Sequence, residues 1–375
     1  MDVRALFGRR WLRAALCVAA AASLVLAGYG GLVLVRAHRV VALPDPGGRY
    51  PVGRTEHTWT DATRARRLAV WTWYPAVAGT GTTATYLPGA WSGLALPFPV
   101  GLAETAPSRV RDPAREGAGV APGRFGVVVL EPGLGLAAPQ YAALAESIAS
   151  RGFVVVGVTP TGSANLTVID GRVEHATAAG DPPALSGSHD RGDLALADAL
   201  LRVWVADARF AGARVGADPA FVGRLDAART AYVGHSFGGA AAVQACHEDP
   251  RCLAAVDLDG TLYGSVVRDG LHAALMLVGH DGSCVAAGCV PHSADDRADV
   301  AAARRLAAVA TGPVRLLTVP HTLHFDFSDY ALYYLARPLR FLVPVGSGGR
   351  AAVAETDAAV GSFLVAALRL TRPGG

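Results

Sequence analysis

The first pattern along the chain is a run without charge. Ala14 to Val35 hold no charged residue. At about 1.5 Å per helical residue the run spans roughly 33 Å, enough for a ~30 Å hydrocarbon core. Arg4, Arg9, Arg10 and Arg13 precede it, and Arg36 and Arg39 follow. The heavier basic flank is N-terminal, which predicts a cytoplasmic N-terminus and an extracytoplasmic remainder. Residues 1–40 are therefore expected to be a membrane anchor, with the transmembrane helix at about 14–35. The alternative is a cleaved signal peptide, which would leave a secreted protein. Such a peptide has an apolar region of about 7–15 residues closed by a small-x-small site. This run is longer, and no such site closes it. Cys17 lies near its start, where a lipid-modified cysteine would not stand, and reads as an ordinary apolar residue.

Beyond the anchor the pattern changes period. Residues 41–66 are rich in Pro, Gly and Arg and read as a linker. Arg67 to Tyr74 alternates and is β-branched and aromatic, a strand signal. Residues 76–124 show no period and predict loops and short helices. Then short apolar runs alternate with helical patterns. Strands are expected at 126–130, 153–158, 230–233, 252–258, 273–279 and 314–319, and helices at 139–150, 193–208, 237–246, 298–308 and 350–368. Residues 160–188 form a long polar loop between them, of the kind that tends to carry function. Short buried strands alternating with helices predict a parallel α/β sheet, here one domain over 67–375.

Composition removes several chemistries. All 34 basic residues are arginine. Without lysine there is no Schiff-base or pyridoxal chemistry, no P-loop lysine and no kinase strand lysine. The formal charge of +3 is a sum of unlike parts. Residues 1–39 hold six arginines and one acid, and the remaining 28 arginines and 30 acids leave the rest at −2. No basic stripe marks a nucleic-acid surface. Four cysteines lie beyond the anchor, as the close pairs Cys246/Cys252 and Cys284/Cys289. Local pairing is the simplest of the three possible connectivities and suits an exported domain. Neither pair has the Cys-x-x-Cys spacing of a zinc site.

The chemistry gathers at Gly234-His235-Ser236-Phe237-Gly238-Gly239, between an expected strand and an expected helix. G-x-S-x-G in that setting is a nucleophile elbow, which lifts a serine hydroxyl above an α/β-hydrolase sheet at a helix N-terminus. The serine needs a base, and the base an orienting acid, in chain order Ser, Asp/Glu, His. Of the 11 histidines, His321 and His324 follow the last strand. For the acid, Asp259 and Asp281 end successive strands. Asp257 shares a strand face with Asp259 but lies deeper and reads as structural.

At this point the chain resembles the platelet-activating-factor acetylhydrolase family of α/β-hydrolase serine esterases. The run GHSFGGAAAVQACHEDPRCLAAVDLDG carries the likeness, as does His324-Phe325-Asp326-Phe327-Ser328-Asp329-Tyr330. The resemblance implies a fold with a mostly parallel sheet and helices on both faces. It implies Ser236 as nucleophile, Asp259 rather than Asp281 as acid, and His324 rather than His321 as base. It implies an oxyanion hole from the N–H groups of Phe237 and of Leu134, within Gly133-Leu134-Gly135. One departure is Pro132, preceded by Glu131, where the family usually has a histidine. The likeness covers about 65–370, sparsely over 76–124.

The expected activity is hydrolysis of a short or oxidised acyl ester, on a phospholipid or a related small molecule, needing no metal or organic cofactor. The loops at 160–188 and 280–297 are expected to shape the pocket, the second stiffened by Cys284–Cys289. A lipase- or cutinase-like hydrolase of longer esters or polyesters is the alternative within the fold. A catalytically silent domain displayed for binding is the alternative outside enzymology. Asn165-Leu166-Thr167 has the form of a glycosylation sequon and is read as chance.

Overall fold

Parallel strands carry the middle of the chain. In the computed structural model, which describes residues 3–96, 100–185, 190–286, 289–333 and 344–369, they assemble into a sheet of eleven strands. The chain begins with helix α1 (Val3–Ala37). Its apolar stretch, Arg13–Ala37, is long and apolar enough to cross a membrane, and none of it is buried in the protein. Strands β1 (Val41–Ala42), β2 (Val52–Asp61), β3 (Arg66–Pro75), β4 (Thr82–Thr85) and β5 (Val110–Glu116) follow. The alternating core is β6 (Phe125–Glu131), α2 (Ala142–Ser150), β7 (Phe153–Thr159), a hairpin β8 (Thr167–Ile169) and β9 (Arg172–Glu174), then α3 (Arg191–Arg214). The second half is β10 (Leu225–His235), α4 (Phe237–Glu248), β11 (Cys252–Leu258), α5 (Val266–Asp269), β12 (Ala274–Gly279), α6 (Ala294–Val309) and β13 (Val314–Thr318). Two helices, α7 (Tyr330–Tyr333) and α8 (Gly349–Arg369), end the described chain.

The sheet order is β1-β5-β2-β3-β7-β6-β10-β11-β12-β13, with β4 beside β5. From β7 to β13 every pair is parallel, while β3 runs antiparallel to both β2 and β7. Strand residues alternate between two cores. Val128, Leu130, Val155, Val233 and Val256 pack with α2 and α8 on one face. Val127, Val129, Val154, Tyr232 and Ala255 pack with α3, α4 and α6 on the other. Helix α8 is also long and apolar enough to cross a membrane, but its apolar face packs against the sheet, where about half its length is buried. Buried on both faces, β6 and β7 carry seven buried residues each.

The stretch 41–66, whose composition reads as a linker, is instead part of the sheet. It supplies β1 and β2, and β2 pairs along its full length with β3. Its polar residues hide the strand period because they are paired rather than solvated. Arg54 is 1% exposed, and its guanidinium meets Asp112 at 2.5 Å and Glu116 at 2.9 Å. Glu56 accepts a hydrogen bond from Trp91 Nε1 at 2.7 Å. Within 76–124, expected to be loops and short helices, β4 and β5 extend the sheet edge. Both close cysteine pairs are bonded, Cys246–Cys252 and Cys284–Cys289, with Cα atoms 5.2 and 4.9 Å apart.

Candidate active site

Parallel register brings the ends of three strands to one edge. Glu131 of β6 lies opposite Gly234 of β10, which lies opposite Asp257 of β11. The residues that follow those strands therefore cluster above the sheet, at the end where α/β sheets carry their sites.

Ser236 stands between β10 and α4 with φ 55° and ψ −126°, a conformation a non-glycine residue adopts only under constraint. The constraint is visible around it. A Cβ on Gly234 would lie 2.0 Å from the Gly238 carbonyl oxygen, and one on Gly238 would lie 2.1 Å from that of Pro132. One on Gly239 would lie 1.8 Å from Asp257 Oδ1. The Ser236 N–H donates to Leu258 O at 2.8 Å, fixing the turn against β11.

Ser236 Oγ lies 2.9 Å from His324 Nε2, and His324 Nδ1 lies 2.6 Å from Asp259 Oδ2. Asp259 is buried, and its backbone N–H donates to Val278 O at 2.7 Å. Burial alone would raise its pKa. The hydrogen bonds and charges of His280 and His324 overcome that and hold it well below the ordinary carboxylate value. Asp281 and His321 stand apart from this chain and meet each other, the His321 N–H donating to Asp281 Oδ2 at 3.2 Å. Asp257 is buried with its pKa pushed up by burial and by Asp259, and accepts from the Gly260 N–H at 2.9 Å.

The Gly133–Gly135 loop faces the serine, a Cβ on Gly133 falling 3.4 Å from that of Ser236. The Gly133 N–H is taken by Tyr141 Oη at 2.9 Å and that of Gly135 by Ser163 O at 3.2 Å. Between them the Leu134 N–H makes no hydrogen bond among the described residues. Phe237 is the first residue of α4, where a helix supplies no partner to its N–H. Glu131 is buried and its pKa raised by burial, and Pro132 supplies its carbonyl to the floor under Gly238.

Two histidines join the site that motif reading did not single out. His235, the variable residue of the elbow, is buried with its Nδ1 2.7 Å from Tyr141 Oη and its Nε2 2.9 Å from the His324 carbonyl. A carbonyl only accepts, so Nε2 carries the proton and Nδ1 accepts from the tyrosine. Burial, aided by His324, pushes the His235 pKa down to about 3, so the ring is neutral. It ties the loop at Gly133 to the loop at His324. The second, His280, follows β12 and donates from Nδ1 to Asp259 Oδ2 at 2.7 Å.

Asp259, His280 and His324 are the one cluster among the described residues with metal-ligand atoms within 4.8 Å of one another. Both imidazoles direct Nδ1 at the carboxylate, so a metal there would replace the bonds that join His324 to Asp259. The set fits a hydrogen-bonded relay better than a coordination sphere.

A cavity of about 430 Å³ opens beside the Gly133–Gly135 loop. Leu94, Leu136 and Leu166 form its apolar wall, with Gln140, Asn165 and Tyr330 among its polar lining. The expected pocket loop at 160–188 contributes through Asn165 and Leu166. Its residues 186–188 lie outside the described residues, as do 287–288 of the loop at 280–297, 334–343, and the C-terminal 370–375.

With the geometry in place, comparison with solved structures assigns the class. The chain has the α/β-hydrolase fold. It is similar to a ferulic acid esterase from Streptomyces cinnamoneus, with 28% identity over 90% of this chain and 97% of that one and a TM-score of 0.73. More distant are a dienelactone hydrolase-like promiscuous phosphotriesterase from metagenomic libraries (16% identity, 84% of this chain and 99% of that one, TM-score 0.49) and a dienelactone hydrolase from Anabaena variabilis (15%, 84% and 98%, TM-score 0.44). No family model matches the chain, and no curated protein does.

Proposed function

We propose that this chain is a serine carboxylic-ester hydrolase held at the outer face of a membrane by α1. The observation that carries the reading is the continuous path from Ser236 Oγ through His324 to buried Asp259, at 2.9 and 2.6 Å. In this reading Ser236 Oγ attacks the ester carbonyl carbon while His324 Nε2 takes its proton. Asp259 holds the imidazole tautomer and stabilises the imidazolium that forms. The N–H groups of Leu134 and Phe237 receive the oxyanion, each donor being worth about 10²–10³ in rate. The intermediate collapses, the C–O bond breaks, and His324 returns the proton to the leaving alcohol. Water then attacks the acyl-serine by the same route, and the acid leaves.

The likeness to acetylhydrolases at the serine, aspartate and histidine motifs supports a short acyl group on a lipid or related ester. The likeness to the Streptomyces ferulic acid esterase, together with a cavity lined in part by Tyr330 and Gln140, supports a second reading, an aromatic acyl ester. Turnover of p-nitrophenyl esters of graded chain length beside methyl ferulate separates them. A maximum at two to four carbons supports the first and preference for the ferulate the second. A sharp optimum on long chains contradicts both in favour of a lipase-like enzyme. The outward orientation rests on the arginine asymmetry about α1 and on the two disulfides.

A further inference from the structure

His280 makes two hydrogen bonds to Asp259. Its backbone N–H reaches Oδ1 at 3.2 Å, and its Nδ1 reaches Oδ2 at 2.7 Å. That Oδ2 is the oxygen that also takes His324 Nδ1 at 2.6 Å. One carboxylate oxygen thus serves two imidazole donors, from different loops, and its charge is divided between them. In the proposed reaction His324 becomes an imidazolium and draws on the same oxygen. We propose that His280 is a positioning residue for this reaction, holding Asp259 Oδ2 against His324 and setting how much of the carboxylate's charge the base receives. The inference rests on the triad reading above and deepens it.

The surroundings give His280 a titration of its own. Asp259 at the end of β11, Asp281 beside it in the chain, and Asp326 from the turn that begins at His324 face it with negative charge, and His324 and His235, the latter at the end of β10, stand on its other sides. Burial lowers its pKa, but the Asp259 hydrogen bond and the three carboxylate charges outweigh burial and raise it above the ordinary 6.5. A protonated His280 puts a full charge on Asp259 Oδ2 and competes with the imidazolium forming on His324. Activity then falls as His280 takes up its proton, separately from protonation of the base. The His280 carbonyl accepts from the Ser283 N–H at 2.9 Å, which ties this arrangement to the loop bridged by Cys284–Cys289.

The test is the pH profile of kcat and kcat/KM for the full chain on p-nitrophenyl acetate, with His280→Asn, His280→Ala and Ser236→Ala alongside. Asn places an amide N–H where Nδ1 stands and does not titrate. Wild type is expected to show two ionisations on the acid side, and His280→Asn one. His280→Ala is expected to lose about tenfold in kcat with KM little changed, the weight of one hydrogen bond to a charged group, and His280→Asn to recover most of that loss. Two ionisations retained in His280→Asn, or wild-type kcat in His280→Ala, overturns the role of His280. So does an equal loss in both variants at every pH, which marks a structural residue. Full activity in Ser236→Ala overturns the triad reading itself, and the role with it.

Discussion

At the scale of single residues, the acid of the proposed triad is where chemistry and spacing left a choice and geometry narrows it. Asp259 and Asp281 each end a strand, but only Asp259 reaches His324. Asp259→Asn should lower kcat by about 10⁴, as expected when the base loses its orienting charge, whereas Asp281→Asn should cost less than about tenfold. Steady-state kinetics on the two purified variants checks this, and the reverse ranking would show that the acid is misassigned. Ser236 stands in a local elbow motif, whereas Asp259 and His324 were preferred to Asp281 and His321 through the family resemblance; in the structure the three side chains lie in series at hydrogen-bond distance. His280 and His235 were legible from neither. One stands beside Asp281 in a strand-end turn, the other fills the variable position of the elbow. Their partners, Asp259 Oδ2 and the His324 carbonyl, come from distant segments that no local pattern reports.

At the scale of elements, apolar runs predicted the central strands well, and β11 falls on the expected 252–258 without shift. Those strands are buried on both faces, so side-chain type alone reveals them. The edge was illegible for the opposite reason. In β2, Arg54 and Glu56 satisfy their charge and hydrogen bonds within the protein, and a strand with paired polar residues looks like a linker. The elbow depends on the strand and helix being closer than a Cβ allows. Gly239→Ala puts a methyl 1.8 Å from Asp257 Oδ1. It should destabilise the fold by about 2 kcal/mol, within the range for overpacking, and thermal or denaturant unfolding of the variant measures it. A variant as stable as wild type would show that α4 sits less tightly on β11 than described.

At the scale of the whole molecule, the charge splits into a basic N-terminal segment and a faintly acidic remainder, and several of the acids of the latter are buried. Burial raises Glu104 and Asp357 to about 7 and Asp329 to about 8, and places Glu131, Glu146 and Asp257 well above their ordinary values. Each such group keeps its proton in the folded state after the unfolded chain has lost it near pH 4. Stability therefore falls as pH rises from about 4 to about 8. His235 works the other way, since its folded pKa is depressed and its contribution is lost only as pH drops from about 6.5 towards 3. These six carboxyls, joined by His280 with its raised pKa, outnumber His235 and His57, whose pKa values are lowered, and predict a higher unfolding temperature at pH 5.5 than at pH 8. A flat or inverted dependence would show that these carboxyls are ionised in the folded protein.

The proposed reaction requires Ser236 as its nucleophile. The most direct measurement is labelling of the folded full chain with a fluorophosphonate, followed by tryptic mapping after reduction. With no lysine in the chain, cleavage after Arg229 and Arg251 releases residues 230–251, which contain Ser236 as their only serine. One phosphonyl group per chain is expected, on that peptide, and none in Ser236→Ala. Label on another peptide, or a folded wild type that takes no label, would contradict the assignment of Ser236.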